Sequence, residues 1–72
     1  MNLLIDYKDD DGTARVLTIE GDGDLWKEAL EKRREKDGPT AVVILEGRLD
    51  DGIPLVYAVS VGRLGAMRVE EG

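Results

Sequence analysis

The sequence predicts an α+β domain in which one helix packs on a mostly antiparallel sheet of four to five strands, in the order ββαβββ. Three observations predict it. Short runs of alternating apolar residues are separated by turns rich in Asp and Gly. One stretch, from Leu25 to Lys36, changes to helical spacing. The connections are short throughout, which favours hairpins and a helix laid on one sheet face.

Taken in order, Leu3, Ile5 and Tyr7 alternate with Leu4, Asp6 and Lys8 and read as a strand with one dry face. Asp9-Asp10-Asp11-Gly12 then supplies a turn in which Gly12 can take a positive φ. Thr13 to Glu20, with Val16, Leu17, Thr18 and Ile19, is the return strand. Gly21-Asp22-Gly23-Asp24 breaks the strand and offers two carboxylate N-caps. On the helix, Leu25, Trp26, Ala29, Leu30 and Arg33 share one side and are expected to face the core, Trp26 included. Glu28 and Lys32 form a favourable i,i+4 pair, and the cations of the last turns suit the helix dipole. Gly38-Pro39 stops the helix. Thr40 to Leu49, apolar on both faces at its start, reads as an interior strand. Asp50-Asp51-Gly52 is a second acidic turn. Ile53 to Val61 follows as a strand, with Pro54 near its start, and Ala66 to Glu70 adds a short last strand.

The inventory excludes much chemistry. Seventy-two residues make one domain, residues 1–72, with a folded surface of about 4,400 Å² against about 11,500 Å² unfolded. Such a body is not expected to enclose a deep substrate cavity. It has no Cys and no His, so thiolate nucleophiles, zinc fingers and Ser-His-Asp triads are absent. No stretch is long enough to span a membrane, and the start of the chain lacks the pattern of a signal peptide, so the expected setting is cytoplasmic. Ten Lys+Arg against sixteen Asp+Glu give a net charge of −6, which opposes direct contact with nucleic acid or an anionic membrane.

Each suggestive motif has a plainer reading. The run ending at Gly12 lacks the first and last ligands of a calcium-binding EF-hand loop, so no metal is expected there. Gly21 to Asp24 lacks the Lys and Ser/Thr of a phosphate-binding loop. The carboxylates cluster at turns rather than in a cleft that could raise a pKa, so no catalytic residue and no cofactor are expected. One pattern is harder to dismiss. If Leu55, Tyr57, Val59 and Val61 pack under the helix, then Val42, Ile44, Val56 and Ala58 lie on the opposite sheet face, which one helix cannot also cover. An apolar face of that kind is commonly buried against another chain, so a homodimer or a protein partner is expected there.

Two family resemblances add to this. Leu45-Glu46-Gly47-Arg48-Leu49-Asp50-Asp51-Gly52 resembles a segment of ubiquitin-like β-grasp proteins, which also begin with a hairpin followed by a helix. Conjugation in that family requires a free Gly-Gly tail, and this sequence ends Glu70-Glu71-Gly72. The strand from Leu3 to Tyr7, the helix from Leu25 to Lys36 and the Asp-Gly hairpin into Leu55-Val56-Tyr57-Ala58 are similar to small phage-encoded anti-CRISPR proteins, which wrap a bent sheet around one helix. That resemblance implies a stoichiometric inhibitor of viral or mobile-element origin that occludes a nucleic-acid-binding surface, with carboxylates standing in for phosphates.

The expected function is therefore a small, acidic, non-catalytic protein-binding module with a basic partner. Its expected contact residues are Asp9, Asp10, Asp11, Asp50 and Asp51 in the turns and Val42, Ile44 and Val56 on the second face. The alternatives are a structural or designed domain without a natural partner, and a β-grasp module lacking the conjugation tail.

Overall fold

A computed structural model, described over residues 1–71, shows the expected ββαβββ order. The strands are β1 (Asn2–Lys8), β2 (Ala14–Glu20), β3 (Val42–Leu49), β4 (Pro54–Ser60) and β5 (Met67–Glu70); the helix α1 spans Gly23–Asp37. A single turn of 3-10 helix, Val61–Arg63, leads from β4 toward β5. All five strands form one sheet in the order β4-β3-β2-β1-β5, and every pairing is antiparallel.

Local chemistry accounts for most boundaries. Gly12 and Gly52 adopt φ of 84° and 85°, the left-handed geometry that the two acidic turns require. Asp22 caps α1: its Oδ1 accepts from the Leu25 N–H at 3.1 Å, so the helix begins two residues before the expected Leu25. Gly38 closes the other end, donating its N–H to the Arg34 carbonyl at 3.2 Å. The strand expected from Thr40 begins at Val42. The strand expected to reach Val61 ends at Ser60, because the chain enters the 3-10 turn at Val61, whose carbonyl accepts from the Leu64 N–H at 3.2 Å.

The core lies on one face of the sheet, beneath α1. Leu3, Ile5 and Tyr7 of β1, Leu17 and Ile19 of β2, Val43 and Leu45 of β3 and Val59 of β4 face it. Leu30, Val61 and Leu64 complete it.

The helix is rotated relative to the sequence expectation. Its buried or half-buried line is Gly23, Lys27, Leu30 and Arg34, whereas Leu25 is 63% exposed, Trp26 40% and Ala29 also exposed. Gly23 explains the rotation. A Cβ there would stand 2.6 Å from the Asn2 carbonyl oxygen, so the missing side chain lets the first turn press against β1 and β5. At the far end an Arg34 Nη2–H donates to Val61 O at 3.4 Å. Anchored at both ends in this phase, the helix turns Trp26 to a groove of about 360 Å³ between α1 and the first half of β3.

The sheet is two hairpins joined by a narrow seam. Strands β1–β2 and β3–β4 pair along their length, but β2 meets β3 only at Leu17↔Leu49 and Thr18↔Arg48. Gly47 sits at the crossing, where a Cβ would lie 2.4 Å from Thr18 O. On the outer face the seam carries the Arg48–Glu20 ion pair, at 3.2 Å, and the β1–β5 junction carries Arg68–Asp6, at 3.1 Å.

Candidate functional site

The seam brings the two acidic turns to one end of the molecule. Extending the Leu17↔Leu49 register by two residues sets Arg15 opposite the Asp50-Asp51-Gly52 turn. Its Nε lies 3.4 Å from Asp9 Oδ2, and its Nη1 lies 3.6 Å from Asp50 Oδ1 and 3.9 Å from Asp51 Oδ2. Thus one guanidinium reaches three aspartates, Asp9, Asp50 and Asp51, drawn from two turns about forty residues apart in the chain. Asp11 stands close enough to Asp9 and Arg15 to feel both, whereas Asp10, on the same turn, makes no ion pair with Arg15. Arg15, which joins the two turns, is the residue that sequence reasoning missed.

The five carboxylates are not equivalent. Asp9 Oδ1 accepts from Thr13 N–H at 2.9 Å and from Asp11 N–H at 3.2 Å, and Asp51 Oδ1 accepts from Ile53 N–H at 3.1 Å. These side chains close their own turns. Asp11 Oδ1 also accepts from Thr13 N–H, at 3.0 Å. Its carboxyl is lowered to about 2, first by Asp9, whose carboxyl shares a proton with it as the pair titrates, and then by the hydrogen bonds to Thr13. Asp10 and Asp50 cap no backbone group and stand at the turn tips, both exposed, with Asp50 also paired to Arg15.

Asp11 gives a pH signature. Because its folded pKa lies below the ordinary 3.8, its contribution to stability is fully present above pH 3.8 and is lost as pH falls through about 2. An NMR titration of the Asp11 Cγ is expected to show a midpoint near 2, and Asp11→Asn should remove that transition. A midpoint near 3.8 would contradict the turn geometry.

Beside the acidic end lies an open depression of about 650 Å³, lined by Tyr7, Tyr57, Val16, Arg15, Lys8 and Arg63 among others. The rings of Tyr7 and Tyr57 are tilted 34° with centroids 5.2 Å apart. Burial pushes the Tyr7 hydroxyl above its usual pKa, opposed by nearby Arg15. On this face the helix packs on β1 and β5 and leaves the half at Tyr7 and Tyr57 open. The accessible surface, 4725 Å², accordingly exceeds the about 4,400 Å² expected for this mass.

The expected aliphatic residues occupy the sheet face opposite the core. Val42, Ile44 and Val56 are 56%, 70% and 67% exposed, with Ala58 between them. Val42 and Ile44 also border the groove under Trp26, so the apolar surface runs from β4 across β3 to the helix. It is separate from the acidic end: Val42 pairs with Ser60, at the opposite end of the β3–β4 hairpin from the Asp50-Asp51-Gly52 turn.

Among the described residues no three acidic side chains converge as a metal-holding group, and no helix is long and apolar enough to cross a membrane. No protein-family model, no curated protein and no solved structure matches the chain.

Proposed function

We propose that the protein is a small, non-catalytic protein-binding module whose acidic end engages a basic surface on its partner. The observation that carries this reading is the joining of the two acidic turns through Arg15, which pairs with Asp9, Asp50 and Asp51 and is one positive charge against the five carboxylates those turns carry. Both turns are pinned by their own side chains, so the exposed carboxylates of Asp10 and Asp50 stand in place before a partner arrives. Carboxylates fixed at neighbouring positions can meet Lys and Arg as phosphates do, which suits an inhibitor that occludes a nucleic-acid-binding surface. The origin and target class follow the anti-CRISPR resemblance and are part of the proposal.

Two further features support a binding role over an enzymatic one. The carboxyl groups displaced from their ordinary values, Asp11 and Glu28, both move down, whereas a general acid needs an upward shift. The depression at Tyr7 and Tyr57 is open rather than enclosed, so it would not exclude water from a reacting group.

The test is capture from a nuclease-treated bacterial lysate with the wild type and with the double variant D10K/D50K, which leaves the Asp9 and Asp51 turn bonds intact. The expected result is a basic protein retained at about 0.1 M salt, released at about 1 M, and bound about tenfold more weakly by the variant. Equal capture by both proteins, or retention unchanged by salt, would remove the acidic end as the contact surface.

A further inference from the structure

The free edge of β4 is unlike the rest of the surface. It is the outermost strand of the sheet, and from Leu55 to Gly62 it carries no charge, in a chain of net charge −6. The opposite edge, β5, is four residues long and bears Arg68 and Glu70, the usual means of discouraging edge pairing. The backbone polarity of β4 is set by its bonds to β3. Leu49 N–H donates to Ile53 O at 2.9 Å and Val61 N–H to Ala41 O at 2.8 Å. In an uninterrupted antiparallel register the odd-numbered residues between them also face β3. Val56, Ala58 and Ser60 therefore present their N–H and C=O groups to solvent along the free edge. Pro54, with no N–H, falls at an outward position, where a missing donor disturbs no bond to β3.

We infer that β4 pairs with β4 of a second copy of this chain, antiparallel and about a two-fold axis at Tyr57, to make one continuous ten-stranded sheet. An isologous contact of this kind repeats every interaction twice. In this register Val56 faces Ala58 of the second copy and Pro54 faces Ser60, which satisfies about six backbone groups that otherwise bond water. The two Tyr57 side chains become a cross-strand aromatic pair. Only an axis at Tyr57 pairs β4 over its full length, Pro54–Ser60, against itself. The exposed Val56 and Ala58 of both copies then join into one apolar stripe with Ile44 and Val42. The inference is independent of the proposed basic partner.

Sedimentation equilibrium tests it. The wild type is expected to move from 7.9 kDa toward twice that mass between about 1 µM and about 1 mM. Val56→Lys, at an exposed site, should keep the monomer's thermal unfolding and weaken association at least about tenfold. A wild type that stays at 7.9 kDa throughout, or a Val56→Lys protein that associates as tightly as the wild type, overturns the inference. A wild type that stays monomeric while still capturing a basic protein in the lysate experiment would overturn edge pairing and leave the proposed function standing.

Discussion

Replacing Leu3 with alanine is expected to lower the stability of the fold by about 3 kcal/mol, whereas Leu25→Ala should change it by no more than about 0.5 kcal/mol. Leu3 is fully buried on β1, between Ile19 of β2 and Val69 of β5. Truncating it removes apolar burial and leaves a cavity that β1, held on both sides by backbone pairing, cannot collapse into. Leu25 belongs to the helix side that spacing alone assigns to the core, yet it is 63% exposed. For a domain this small, about 3 kcal/mol lowers the melting temperature by at least about 12 °C. Urea unfolding of the two variants checks both statements. A loss at Leu25 equal to that at Leu3 would mean that the helix packs in the phase read from the sequence.

Gly47→Ala is expected to cost about as much, about 3 kcal/mol, for a different reason. The new Cβ would stand 2.4 Å from Thr18 O and 3.1 Å from Thr18 C, and both neighbours are backbone. Relief requires β3 to lift from β2, and only two residue pairs join these strands. The expected signature is lowered stability together with loss of NMR contacts between Leu17 and Leu49, while contacts within each hairpin persist. A variant that keeps the wild-type midpoint in urea and the Leu17–Leu49 contacts would show that the crossing is looser than described.

Much of the architecture was legible from local chemistry. The Asp-Gly turns, the Asp22 cap and the Gly38-Pro39 stop are short-range signals, and each boundary lies within two residues of its sequence estimate. The exposure of Val42, Ile44 and Val56 was legible too, because period-2 alternation assigns faces without knowledge of the strand order. The helix phase was not. It depends on Gly23 meeting Asn2, a contact between residues 21 apart that leaves no periodic trace, and the weak amphipathicity of α1 does not override it. Arg15 was hidden for a similar reason. A lone Arg in a strand acquires meaning only once β2 is known to lie beside β3, and that adjacency is long-range information. The depression at Tyr7 and Tyr57 likewise needs two hairpins and an uncovered half-sheet before it exists.

The narrow seam also bears on how the chain reaches this structure. Each hairpin closes a short loop and can form within about 1–10 µs, before either has met the other. The pairs that complete the sheet are Leu17↔Leu49 and Thr18↔Arg48 at the crossing and the four from Asn2↔Glu70 to Ile5↔Met67 at the β1–β5 junction, all distant in sequence. Loop-closure entropy is therefore concentrated in a single late docking event, with few backbone bonds to reward it until the side chains around Leu30 and Leu45 interlock. The expected slow step of folding is therefore the meeting of the two hairpins, which stopped-flow refolding of Gly47→Ala against the wild type would test.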